Sequence, residues 1–360
     1  MKPCLLLTPL AILAAVGLAG CGSGGSSSNT PNSANGGSPS GTTLALTGAG
    51  STFVNPAMSH WVDQYQRDNP GVTINYQAVG SGAGISQLEA GTVDFAASDV
   101  AMSDDELKTM PGPVVQIPMI SGCVAMAYNL PGIQSGLKLS GDVIADIYLG
   151  KITKWNDPRI VQQNPGVNLP DLAIAVVHRS DASGTSYIFT DYLCNVSAAW
   201  KSGPGKGKTV SWPTGVGEPH NDGVAGYIKQ STGGFGYVEL AYVIQTNMTC
   251  ATVKNRSGNY IQPTIDSTSV AVNAAVDSLK KDIRASIVDT SAPQGYPIAG
   301  FTYAIVDKTP KDPNKAKASI DFLKWVLGPG QEMASKLQYA PLPKALADLN
   351  DTALTQVQTK

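Results

Sequence analysis

The chain is poor in the residues on which most catalytic and nucleic-acid chemistry depends. Of 360 residues only three are histidine, 14% are charged, and the formal net charge is −2. No basic field exists to hold a phosphodiester backbone, which excludes nucleic acid as a partner. His60, His178 and His220 are too scattered to suggest a metal site. Cysteine is scarce as well, with five residues and no C-x-x-C pair, so neither a zinc site nor a disulfide framework is indicated. Beyond the first twenty residues no apolar run is long enough to span a membrane. What remains is globular material: 42% of residues are hydrophobic, and the length suffices for about two domains.

The amino terminus reads as a targeting segment. Lys2 precedes an apolar run from Leu5 to Gly17, and Leu18-Ala19-Gly20-Cys21 closes it with small residues ending on cysteine. That ending resembles a bacterial lipobox, which implies a signal peptide over 1–20, cleavage before Cys21 and lipid attachment to its sulfur. An ordinary secretory peptide is the alternative. Residues 21–43 then form a tether, because Gly, Ser, Asn, Thr and Pro cannot bury enough apolar surface to order it. With Cys4 removed and Cys21 lipidated, Cys123, Cys194 and Cys250 remain, either as buried thiols or with one disulfide among them.

From Leu44 the pattern is α/β. Leu44-Ala45-Leu46-Thr47 predicts a strand, and Met58, Trp61, Val62 and Tyr65 fall at helical spacing behind Pro56. Val72 to Tyr76 alternates as a strand, a short helix carries Ile85 and Leu88, and Val93 to Asp99 is again a strand. Ser103-Asp104-Asp105-Glu106 predicts a capping box. Two apolar runs, Val114 to Ile120 and Cys123 to Tyr128, read as strands. Later elements follow the same alternation: helices at Gly141 to Tyr148, Asp222 to Gln230, Val270 to Ile283 and around Ile320 to Leu327, and strands at Ala173 to His178, Phe235 to Glu239 and Phe301 to Val306. Three successive strand ends carry Ser51/Thr52, Ser81 and Asp99, and in an open α/β sheet such ends line the ligand crevice.

One stretch concentrates anion chemistry. Arg179-Ser180-Asp181-Ala182-Ser183-Gly184-Thr185 joins the end of a strand to the start of a helix, where backbone N–H groups lack partners and the macrodipole is positive. The chain has five arginines, and this one alone lies in a loop of small polar residues at a strand end. Asp181 can hold its guanidinium in orientation. The same residues also read as a capped helix beside a surface arginine. Asp99 discriminates among anions: a carboxylate tolerates an oxyanion that brings a proton for it to accept. Phosphate near neutral pH keeps one or two protons and sulfate keeps none. Two rival signals are weak. Gly203 to Thr209 imitates a Walker A loop, but position 202 is Ser where the pattern needs Gly, so a surface loop is expected. Ser81 and Ser183 each sit where a hydrolase nucleophile would, yet no histidine is placed to serve as base.

Thr47-Gly48-Ala49-Gly50-Ser51-Thr52-Phe53, Gly80-Ser81-Gly82, Val93 to Asp99, Arg179 to Thr185 and Asn221-Asp222-Gly223 closely resemble the PstS-type phosphate-binding proteins, receptors of bacterial phosphate ABC importers. The likeness runs from about Leu44 to Pro343. It implies a type II periplasmic-binding-protein fold, two α/β lobes joined by crossing strands and closing over a ligand. Lobe I would comprise 44–127 and 297–360, and lobe II 128–296, with crossings near Tyr128 and Pro297. By the resemblance, inorganic phosphate is held by Thr52, Phe53, Ser81, Asp99, Arg179, Ser183, Gly184 and Thr185, with Asp181 supporting Arg179. It further implies no cofactor, no metal and no catalysis, permease subunits as partners, and an extracytoplasmic monomer anchored to the membrane through Cys21. His178 departs from the family pattern and its role is open. Receptors of sulfate or molybdate, and a serine-dependent phosphoesterase, are the alternatives.

Overall fold

Residues 43–359 are described by a computed structural model; the proposed signal peptide, Cys21 and nearly all of the tether lie outside them. The first lobe starts with β1 (Leu44–Gly50), α1 (Asn55–Asp68), β2 (Val72–Ala78), α2 (Ser81–Glu89), β3 (Phe95–Ser98) and α3 (Asp104–Thr109). β1 pairs in parallel with β2 and β3, so each helix is a crossover and all three strand carboxyl ends face one edge. α1 opens on a proline in its first turn and buries Trp61, Val62 and Tyr65 on its core-facing stripe. The capping box on α3 forms as the sequence predicts: Ser103 accepts from the Glu106 N–H and the Glu106 carboxylate accepts from the Ser103 N–H.

The two strand-like runs after α3 are one element, the fifteen-residue β4 (Val114–Tyr128). Ser121-Gly122 does not break it because a second strand supports it there. Up to Cys123 its antiparallel partner is the strand Ala299–Asp307, and from Val124 to Tyr128 its partner is the strand Gly234–Glu239. Pro118, which cannot donate to a ladder, sits at a register shift in the first of these pairings.

The second lobe follows: β5 (Lys138–Leu139), α4 (Gly141–Tyr148), α5 (Pro158–Gln163), β6 (Ala175–Arg179), α6 (Gly184–Val196), α7 (Ala198–Ser202), β7 (Val216–Glu218), α8 (His220–Gln230), β8 (Gly234–Glu239) and α9 (Leu240–Gln245). β9 (Thr249–Cys250), β10 (Thr252–Lys254), β11 (Tyr260–Ile261) and α10 (Ile265–Lys281) lead to the return strand β12 (Ala299–Asp307). Then α11 (Pro313–Leu327), α12 (Pro329–Ala334) and α13 (Lys344–Leu354) cover the first lobe's sheet. The strand order is β2-β1-β3-β12-β4-β8-β6-β7, so one continuous sheet runs through both lobes with β4 as its shared member.

Aromatic side chains fill the second lobe: Tyr148 is surrounded by Phe189, Trp200, Trp212, Phe235 and Tyr237. His178 belongs to this cluster, its ring stacked on Trp212 at 4.8 Å between centroids and 10° between planes. Burial holds the imidazole below its usual pKa, so the departure at this position serves packing. Cys123, Cys194 and Cys250 are free thiols, and no disulfide links them. Residues 203–209 form a loop with no helix behind it, and Lys206 and Lys208 are engaged with Asp191 and Glu106, which excludes a phosphate-cradling Walker loop.

Candidate anion site

The expected residues meet at the seam between the lobes. β1, β2 and β3 deliver Ser51, Thr52, Ser81 and Asp99 from one side; β6 and the first turn of α6 deliver Arg179, Ser183, Gly184 and Thr185 from the other. Thr52, Ser81, Asp99 and Arg179 are each 4% exposed or less, and Ser183 and Thr185 are fully buried. The lobes are in contact here: the Gly184 N–H donates to Ser81 Oγ at 3.2 Å and the Gly82 N–H to the Ala182 carbonyl at 2.9 Å.

Glycine is required where the halves touch. A Cβ on Gly184 would lie 2.5 Å from Ser81 Oγ and 2.6 Å from Asp99 Cβ. One on Gly80, whose φ is +91°, would lie 2.4 Å from Asp181 Oδ2. Phe53 contributes differently from the polar residues. Its ring is fully buried, packed toward Gly122 and Tyr339, and only its main chain is available to a ligand. Ser183 Oγ accepts from the Ser186 N–H and caps α6, so its hydroxyl also has a structural duty.

Arg179, 3% exposed, is the cation buried among these residues. Its Nε and Nη2 grip the two oxygens of Asp181 at 2.7 and 2.5 Å, and Nη1 reaches Thr185 Oγ1 at 3.4 Å. Burial pushes the Asp181 carboxyl up, but the hydrogen bonds and charge of Arg179 outweigh it and hold the carboxyl below its ordinary value. The arginine is therefore compensated and oriented, and the first residues of α2 and α6, Ser81 and Gly184, meet beside it.

Asp99 faces the opposite balance. Burial raises its carboxyl from 3.8 to about 6, against the lowering influence of hydroxyls from Ser51, Thr302 and Ser81 and the charge of Arg179. Ser51 and Thr302 donate to Oδ1, the latter at 2.9 Å, while its own backbone N–H donates to Ser81 Oγ at 3.1 Å. A buried, half-compensated carboxylate beside an arginine is arranged to accept a proton-bearing hydrogen bond. A cavity of about 730 Å³ reaches Asp99 between the lobes and is bordered by Tyr187, Lys208, Arg284 and Tyr303.

Three contributors had no assigned role in the sequence. Asn221 donates from its amide to Thr52 Oγ1 at 3.0 Å and to Thr185 Oγ1 at 3.2 Å, joining the two lobes. Thr302 is the single aliphatic hydroxyl in the apolar run Phe301 to Val306, beside the Tyr303 phenol, and that is the signal that could have found it. Tyr237 accepts the Arg179 N–H at 2.9 Å and contacts Ser186 Oγ at 2.6 Å, fixing the arginine's backbone. Among the described residues no group of three or more His, Cys, Asp or Glu is placed to hold a metal ion.

Two α/β lobes sharing a sheet through β4 and β12, with polar groups converging at their seam, define the two-lobe binding-protein class, and a PBP superfamily domain model matches residues 31–329. Over 304 residues the chain is 43% identical to the phosphate-binding protein PstS of Xylella fastidiosa, covering 84% of this chain and 83% of that one. The chain belongs to the PstS family of phosphate-binding proteins. Solved structures share its fold: a phosphate-binding protein from Stenotrophomonas maltophilia matches with a TM-score of 0.65 at 23% identity, covering 86% of this chain and 93% of that one. An ABC-type phosphate transport receptor from Vibrio cholerae matches with a TM-score of 0.53 at 21% identity, over 83% of this chain and 100% of that one.

Proposed function

We propose that the protein is an extracytoplasmic receptor that captures inorganic phosphate and delivers it to an ABC-type importer, without catalysing a reaction. The observation that carries this reading is the pairing of Arg179 with Asp99 across one buried seam. The arginine and helix N termini supply attraction for an oxyanion; the carboxylate admits only one that still carries a proton. Thr52, the Phe53 main chain, Ser81, Asp99, Arg179, Ser183, Gly184 and Thr185 are the proposed phosphate ligands, with Asp181 supporting. Lobe I is taken as 44–127 with 297–360 and lobe II as 128–296; β4 changes partner at Cys123/Val124, four residues before the first of these crossings, and the Val124 N–H bonds the Ile298 carbonyl beside the second.

Lipid attachment at Cys21, a tether over 21–43, action as a monomer and docking on permease subunits complete the proposal. They rest on the lipobox and on the family's function. A hydrolase is disfavoured by the surroundings of both serines. Ser81 Oγ is committed to Asp99 and Gly184, Ser183 Oγ to the α6 cap, and the nearest histidine in sequence, His178, is stacked on Trp212. Calorimetric titration of the dialysed protein at neutral pH is the test: phosphate binds and sulfate does not compete. Tighter sulfate than phosphate binding, or turnover of a phosphate ester lost in Ser183→Ala, would overturn the reading.

A further inference from the structure

Glu239 ends β8 opposite Val124, the residue at which β4 passes from one lobe's ladder to the other's. It is fully buried, yet it touches neither the arginine nor any other cation. One oxygen, Oε2, accepts from the Ala241 N–H at 2.8 Å and lies 3.2 Å from the Tyr339 hydroxyl; Oε1 has no hydrogen-bond partner. Tyr339 is held rigidly, because Ala340 and Ser121 exchange both backbone hydrogen bonds and Gln338 takes the left-handed turn before it.

The proton count at Tyr339 decides the state of Glu239. A phenol has one proton. Its short contact, 2.6 Å, is to the Phe53 carbonyl, which accepts and never donates. With its proton spent there, the Tyr339 oxygen offers Glu239 only lone pairs. Two facing acceptors at 3.2 Å would repel in a buried site, so the proton between them must come from the carboxyl. A neutral carboxyl also explains how Oε1 persists without a partner: an unpaired carbonyl oxygen is far less costly than an unpaired half of a buried anion.

The backbone N–H groups that open α9, of Ala241 and Leu240, favour an ionised Glu239, but among the described residues no cation near it does. Cys123 on β4, Tyr242 on α9 and Asp99 at the end of β3 are neutral or anionic, and α8 presents the Asn221 amide oxygen, which accepts the Glu239 N–H at 3.1 Å. Burial first, with the Asp99 charge added, outweighs the hydrogen bonds of Ala241, Tyr339 and Leu240 and pushes the carboxyl well above its ordinary value, in the same direction as the geometry.

We infer that Glu239 is a positioning residue for the anion loop: carrying a proton, it donates to Tyr339, whose own proton then clamps the Phe53 carbonyl and sets the adjoining Thr52–Phe53 main chain. The inference rests on the phosphate-site reading for its functional consequence, while the proton assignment stands apart from it. A carboxylate at Glu239 would draw the Tyr339 proton away from Phe53 and release the loop. The connection runs from β8 of one lobe to the start of α1 in the other.

Two measurements test this. Infrared difference spectra of wild type minus Glu239→Gln at pH 7 should show a carboxylic-acid carbonyl band in wild type, with Asp99→Asn as the control for the other buried carboxyl. Phosphate affinity is then compared across variants. Glu239→Gln, whose amide still donates to Tyr339, should bind within about twofold of wild type. Glu239→Ala and Tyr339→Phe should each bind about tenfold more weakly, with folding checked by circular dichroism. A carboxylate band in place of the acid band, or equal affinities for the Gln and Ala variants, overturns the inference. Failure of wild type itself to bind phosphate would instead refute the functional reading and leave the infrared result standing.

Discussion

Asp99→Asn separates affinity from selectivity. At pH 7 the ionised Asp99 sits buried with its carboxyl raised from 3.8 to about 6, a disadvantage of about 3 kcal/mol for the charged form relative to water. The sign follows from linkage. The folded protein keeps this proton up to about pH 6 and the unfolded chain releases it near 4. The cost is therefore borne in full above pH 6 and relieved as pH falls through that window. Replacing the carboxylate by an amide should raise the stability of the ligand-free protein by up to about 3 kcal/mol at pH 7, with the gain vanishing below pH 4. Binding should move the other way for phosphate. The variant loses a charge-assisted acceptor, about 1.5–3 kcal/mol, or roughly ten- to a hundredfold in affinity. Sulfate should gain, because the amide can donate. Titration calorimetry with both anions at pH 7 and pH 5, together with thermal melts, reads all three effects. In wild type the phosphate-to-sulfate ratio should narrow at pH 5, where Asp99 is protonated and can itself donate. A ratio unchanged by both the substitution and the pH would refute the assignment of selectivity to this carboxylate.

Arg179→Ala should weaken phosphate binding by about 3–5 kcal/mol, over a hundredfold, since it removes the cation from a buried anion site and leaves Asp181 unpaired; binding within tenfold of wild type would contradict its role. Gly184→Ala places a methyl group 2.5 Å from Ser81 Oγ and should hold the lobes apart, abolishing the rise in melting temperature that phosphate produces by mass action. Glu106→Gln breaks the cross-lobe pair in which Lys208, despite partial burial, holds the Glu106 carboxyl below its ordinary value. That pair contributes above the unfolded carboxylate pKa and is lost as pH falls through the lower folded one. Its removal should cost at most about 1 kcal/mol after screening, seen as faster phosphate release that added salt reproduces in wild type.

Much of the local structure was legible because local physics sets it. Ser103 and Glu106 form their capping box three residues apart, and Trp61, Val62 and Tyr65 bury the face that their spacing requires. Gly141–Tyr148 is a helix at both expected ends. The errors arose where a partner distant in sequence intervened. Val114–Ile120 and Cys123–Tyr128 read as separate strands because Ser121-Gly122 looks like a break; β12, far along the chain, makes them one. α8 starts at His220, two residues early, on a left-handed residue that no periodicity announces.

The sequence by itself determined the α/β alternation, the glycine and hydroxyl residues at strand ends, the single arginine in a small polar loop, and the carboxylate proposed to select among oxyanions. Each follows from residue type and spacing of a few positions. Only the tertiary structure decided which groups face one another across the seam: Asn221 on Thr52, Thr302 on Asp99, Tyr339 between Phe53 and Glu239. It also set the proton affinities, since Asp99 and Asp181 are the same side chain with opposite shifts. Burial dominates one and a bound guanidinium overcomes burial in the other, and both depend on neighbours that no local window of the chain contains.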